Sequence, residues 1–112
     1  MFEYLPFEQS ELPIRKTFEV SGQDFEFELS YTEETNVYKM ILRDLQGELL
    51  YIAPLRYFSA WNSIPIVGFP NNVKLVPIDL DDFNSLELNN EINPSNFGSK
   101  VKIYLMEESN VS

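Results

Sequence analysis

From Phe18 to Tyr31 the sequence FEVSGQDFEFELSY alternates apolar and polar residues with a period of two. Phe18 and Val20 flank Glu19; Phe25, Phe27, Leu29 and Tyr31 flank Glu26, Glu28 and Ser30. Successive side chains of an extended chain point to opposite faces, so the pattern demands half-buried strands and cannot place its apolar residues on one side of a helix. Gly22 supplies the positive φ that a tight hairpin needs within Ser21-Gly22-Gln23-Asp24, and pairing Val20 with Phe25 and Phe18 with Phe27 sets apolar against apolar. That register puts Glu19 opposite Glu26. A third strand answers the repulsion: with Tyr31 opposite Tyr38 across the loop TEETN, Arg43 faces Glu26.

The next turn follows from local chemistry. Asp44-Leu45-Gln46-Gly47 fits a type I turn with glycine in the left-handed position of a bulge, and the Asp44 carboxylate caps its own turn. The expected register pairs Leu42 with Leu50 and Met40 with Ile52, all four on the face of Phe27 and Leu29, with Ile41, Leu49 and Tyr51 on the other. Beyond Ala53, PLRYFSAWNSIPIVGFPNN holds three prolines, four aromatics and one glycine, which reads as loops and short strand pieces. Alternation returns at VKLVPIDL, with Val76, Ile78 and Leu80 expected on one side and Pro77 marking an edge strand or a bulge. DDFNSLELNNEINPSNFGS reads as a long excursion with at most a short strand at Leu86 to Leu88. KVKIYLM closes the chain with Val101, Ile103 and Leu105 inward and Lys100 and Lys102 outward. No 3.6-residue period, internal repeat or linker is visible. The expected fold class is all-β: residues 1–112 form a single small barrel or sandwich of roughly six to eight strands built from antiparallel hairpins. Residues 1–15 are an extended N-terminal arm and residues 107–112 a frayed end.

Function is constrained mostly by what the chain lacks. It has neither cysteine nor histidine, which removes disulfides, thiolate nucleophiles, the commonest zinc ligands and every histidine-dependent triad. Eighteen acidic residues against eight basic ones give a net charge of −10, which repels phosphate backbones and anionic headgroups. No nucleic-acid or membrane partner is expected, and no cofactor. No apolar run approaches a membrane span of about 18 residues, and MFEYLPFEQSELP has neither the basic start nor the apolar stretch of a signal peptide, so a cytoplasmic site of synthesis is expected.

The acids form no recognisable reagent. If Asp79 is position one of a calcium loop, Asp81 fits position three, but Phe83, Asn84 and Asn90 stand where a ligand, a glycine and a bidentate glutamate belong. An irregular calcium site at Asp79, Asp81 and Asp82, with Trp61 as a sugar platform, defines the alternative reading of a calcium- or carbohydrate-binding β-sandwich. Glu26 and Glu28 form a pair that strand alternation alone explains, and Asn110 in NVS is a glycosylation acceptor only in a secretory pathway. The aromatics Tyr57, Phe58, Trp61 and Phe69 gather in the irregular segment, either as a cap over one end of the fold or as anchors in a protein interface. Phe2, Tyr4, Leu5 and Phe7 of the arm pose the same choice: they pack on their own fold or augment a neighbour's sheet.

Taken in order, FEVSGQDFEFELSY, YKMILRDLQGELL, PLRYF, VKLVPIDL and NPSNFGSKVKIYLM resemble the small plug-type baseplate proteins of contractile-tailed phages, over roughly Leu5 to Met106. The matching marks are turns: Gly22-Gln23, Asp44 with Gly47, and Asn96-Phe97-Gly98. The acidic DLDDFNSLELNNE insert and the Trp61 segment depart from the pattern. The resemblance implies a non-enzymatic structural protein of a phage or prophage tail, assembled in the host cytoplasm, bound to baseplate hub or tube-initiator proteins and helping to close the tail-tube channel. It leaves self-association into a homo-oligomer open.

Overall fold

The computed structural model describes residues 3–80 and 91–107. Among the described residues seven strands follow one another: β1 (Glu3–Leu5), β2 (Ile14–Val20), β3 (Gln23–Thr32), β4 (Val37–Arg43), β5 (Leu49–Pro54), β6 (Val73–Ile78) and β7 (Lys102–Glu107), with a 3₁₀ turn at Gln9–Glu11. They form two antiparallel sheets, a four-stranded one in the order β2-β3-β4-β5 and a three-stranded one in the order β1-β7-β6. The sheets do not close into a barrel; the all-β fold is sandwich-like.

The alternating faces read from the sequence build the core, with Phe25, Phe27, Leu29, Tyr38, Met40 and Leu42 of the larger sheet joining Leu5, Val73, Leu75, Val101 and Ile103 in one buried cluster. Tyr31 pairs with Tyr38 and Glu26 with Arg43, as the sequence predicts. Two registers differ. The first hairpin pairs Phe18 with Phe25 and Val20 with Gln23, so Glu19 faces Asp24 and Glu26 faces Thr17, because Ser21 and Gly22 alone make the turn. Both take positive φ, 52° and 78°, the mirror-image geometry that suits strand twist. A shift of two residues leaves every side chain on its expected face.

The second difference has the opposite effect. The turn at Asp44 forms as expected: its Oδ1 accepts the N–H groups of Gln46 and Glu48, both at 2.9 Å, and Gly47 has a φ of 84°. Arg43 then pairs with Leu49, on the expected register, but an irregularity follows and Leu42 meets Tyr51 while Met40 meets Ala53. A slip of one residue exchanges the faces. Tyr51 and Ala53 therefore pack against the core, and Ile52 lies 46% exposed on the outside. On β6, Val73, Leu75 and Pro77 rather than Val76 follow the inward phase, since Lys74 between the first two must reach solvent; Ile78 is buried as well. Pro77 does sit on an edge strand, for β6 pairs with β7 alone. The short strand expected at Leu86 to Leu88 lies outside the described residues.

The segment between β5 and β6 seals what the strands leave open. Phe58 and Trp61 donate their main-chain N–H groups to the carbonyls of Pro77 and Leu75, at 2.8 and 2.7 Å. Beside them the buried Asn62 side chain donates to the Val73 carbonyl at 2.7 Å and accepts the Leu75 N–H at 2.9 Å. The free edge of β6 is thus paired without another strand. The arm is held similarly: β1 pairs with β7, and Gly98, at a φ of 88°, passes so close that a Cβ there would meet the Phe7 carbonyl oxygen at 3.0 Å. Asn62→Ala strips partners from two buried backbone groups, each worth roughly 1–3 kcal/mol when left unsatisfied. Urea unfolding should show a loss of that order, and an unchanged midpoint would contradict the sealing role.

Candidate functional site

The predicted aromatic anchors divide by burial. Phe7, Trp61 and Phe69 are inside: Phe7 packs edge-on to Phe18, Phe69 lies 4.9 Å from Phe25, and Trp61 stands edge-on to Tyr51 at 4.8 Å while its indole N–H donates to the Ala53 carbonyl at 2.9 Å. With only 4% of its surface exposed, Trp61 has no open face on which a sugar would stack. Tyr57 is half-buried and its hydroxyl accepts the Asp79 N–H at 3.3 Å. Phe58 is 48% exposed at a φ of 60°, a conformation bulky residues rarely adopt, and Tyr4 is exposed with the Lys102 ammonium 4.3 Å from its ring centroid. Phe2, Asp81 and Asp82 lie outside the described residues.

The predicted turn residues each have a local task. Gly22, Asp44 and Gly47 shape the two hairpins, while Asn96 accepts the Asn93 N–H through its side chain and the N–H groups of Ser99, Lys100 and Val101 through its carbonyl. Gly98 donates to the Val101 carbonyl at 2.8 Å. A second polar group ties loops to the sheet: Tyr38 donates to Gln9 Oε1, and Tyr31 donates to Asn36, whose amide reaches the Ile92 carbonyl at 3.1 Å. Burial, reinforced by neighbouring Tyr31, pushes the Tyr38 phenol up to about 12, so it stays a neutral donor.

On the outer face of the larger sheet, Glu26 and Glu28 of β3 stand between Arg15 of β2 and Arg43 of β4. Arg43 donates to Glu28 at 2.7 Å and Arg15 to the same oxygen at 3.1 Å; both lie 3.6 Å from Glu26 Oε1, which is buried and has no hydrogen-bond partner. The hydrogen bond from Arg43, then the charges of Arg15 and Arg43, outweigh desolvation and hold the Glu28 carboxyl below the usual carboxylate range. A carboxylate so fixed is an ion-pair partner and a poor proton donor. Among the described residues no group of three or more acids is placed to hold a metal ion.

A surface that the sequence reading did not isolate lies beside this network. Because Tyr38, Met40 and Leu42 face inward, β4 points Val37, Lys39, Ile41 and Arg43 outward; Leu49 lies opposite Arg43, and past the irregularity the slipped register of β5 sets Ile52 opposite Ile41 and Pro54 opposite Lys39. Leu55 donates to the Tyr38 carbonyl at 2.7 Å, which carries the pairing on and leaves Arg56 beside Val37 at a groove of about 410 Å³ shared with Tyr57 and Ile92. Leu49 is 56% exposed, and Val37 and Ile52 are exposed with it. On β4 apolar groups alternate with cations, and β5 adds an apolar row beside them. The signal was available in principle as the outward phase of β4, but the phase of β5 depended on a bulge with no local mark.

A family model described as "Cyanophage baseplate Pam3 plug gp18" matches residues 2–108 of the chain. No curated protein and no solved structure matches it significantly.

The ion-pair network has a pH signature. Glu28 is more acidic folded than unfolded, so its contribution is present above the ordinary carboxylate pKa and is lost as pH falls through the lower, folded value. Arg43→Met should cost about 1 kcal/mol near pH 7 and less at an acidic pH below the ordinary carboxylate range, as Glu28 takes up its proton. Urea midpoints at the two pH values measure this; a gap that holds or widens on acidification contradicts it.

Proposed function

The chain belongs to this phage baseplate plug family, and from that membership we propose that it is a non-enzymatic plug of a tail baseplate, held by hub or tube-initiator proteins near the tail-tube channel. The observation that carries the reading is the span of the family match, residues 2–108 of 112, which takes in every strand and the loops between them. The chain is therefore a structural component of a phage tail baseplate, and its place is the virion tail.

Several acids of the fold serve structure. Asp44 is committed to its turn, Glu28 to Arg43 and Arg15, and Glu11 to Lys16 at 2.8 Å. A plug asks for something else: a rigid body with sealed edges that presents protein-binding surface. The sandwich supplies one buried core and a β6 edge paired by the loop before it, and its net charge of −10 discourages adhesion to DNA in or near the tail tube.

Quantitative mass spectrometry of purified tails tests the proposal. The protein should be present at a fixed ratio to the hub protein and should remain after a high-salt wash that strips adventitious cytoplasmic proteins. Deleting its gene should leave tails that are incomplete or leak through the tube. Finding it only in the soluble lysate, with tails complete and functional in the deletion, would dismiss the plug reading.

A further inference from the structure

The outer face of β4 and β5 combines exposed apolar side chains with cations. It exposes Val37, Leu49 and Ile52 with Ile41 half-buried between them, and the residues it turns outward with charge, Lys39, Arg43 and Arg56, are all cations. In a chain of net charge −10 this is a local reversal of sign. Of the acids nearby, Glu26 and Glu28 are already neutralised by Arg15 and Arg43, and Glu91 lines the groove at the Arg56 end. Among the described residues neither Lys39 nor Arg56 forms an ion pair.

We infer that this face is the docking surface of the plug, and that its partner there is another baseplate protein presenting an apolar patch rimmed with carboxylates. The inference rests on the baseplate reading and names the surface and the partner's chemistry. Charge complementarity identifies the occupant. Interfaces bury an apolar centre and place Arg and other polar groups around it, and potentials of opposite sign meet across them. A basic partner would be repelled by Lys39 and Arg56. A second copy using the same face would set Lys39 and Arg56 against their own counterparts, so a symmetric dimer through it is disfavoured as well.

Geometry favours contact with the face over addition of a strand. The edge of β6 is paired by Phe58, Trp61 and Asn62, and the Ala53 carbonyl of β5 is taken by the Trp61 indole. What remains is side-chain surface, about two strands wide, ending in the groove beside Arg56. Glu3, Glu19 and Glu107 gather around a separate opening, between Val20 and Ser21 of one sheet and Val73 and Leu105 of the other.

The test uses assembled tails. A photo-crosslinking phenylalanine analogue is placed at Ile52 and, in a separate strain, at Thr17 on the same sheet face but outside the apolar rows; both residues are exposed. Irradiation should give an adduct from the Ile52 position alone, to a peptide of another baseplate protein that carries apolar residues with Asp or Glu. In parallel, Lys39→Glu with Arg56→Glu should lower incorporation into tails at least about tenfold, and Lys39→Arg with Arg56→Lys should restore it. No adduct from Ile52, an adduct to a basic peptide or to another copy of this chain, or undiminished incorporation of the charge-reversed protein overturns the inference while leaving the plug reading in place. Absence of the wild-type protein from tails, read in unirradiated particles, overturns both.

Discussion

The Trp61 indole bound to the Ala53 carbonyl, with the Asn62 amide bound to β6 beside it, joins the two sheets on the side where no strand does. A sandwich of four and three strands has open edges, each a row of unpaired peptide groups. Here one loop satisfies the edge of β6 through main-chain and side-chain bonds and holds β5 through the indole. The same contact fixes which way β5 faces. Tyr51 must turn inward to meet the Trp61 ring, so Ile52 must turn outward, and the exposed apolar rows of the docking face follow from the position of one buried aromatic.

That dependence also explains what could be read in the sequence and what could not. The phase of β3 was legible because a charge or polar group separates each apolar residue from the next, and that of β4 follows from it through the Tyr31–Tyr38 and Glu26–Arg43 pairs. The Asp44 turn was legible because an acid and a glycine at fixed spacing make it locally. The first hairpin was misread by two residues because Ser21 takes the left-handed conformation, for which serine carries no strong signal, but the parity of the shift preserved the core. In LLYIAP almost every residue is apolar, so the strand has no phase of its own and takes the one imposed by Trp61. Sequence grouped Trp61 and Phe69 with Phe58 by composition; tertiary contacts separated them into core and surface.

The charged residues divide in a related way. Arg15, Arg43, Glu26 and Glu28 cross-link three adjacent strands on an outer face, where each pair alone would be worth little and the gain comes from sharing two cations between two anions. Partial burial raises the cost of breaking it: Glu26 Oε1 has no hydrogen bond and relies on two guanidinium groups at 3.6 Å. The network therefore holds the border of the apolar rows rigid and electrically quiet.

A neutral border matters for binding as much as for stability. If Glu26 and Glu28 were unpaired, their negative charge on the same sheet face would oppose the field that Lys39 and Arg56 present to a partner. With both glutamates bound to arginines, the positive potential of the face survives within a chain of strongly negative total charge. The acidic remainder then acts at longer range: it keeps the protein from sticking to copies of itself and to nucleic acid, while the local reversal at β4 and β5 admits a partner of the complementary sign. Solubility and attachment thus use opposite charges on separate faces, and the ion-pair network is the boundary between them.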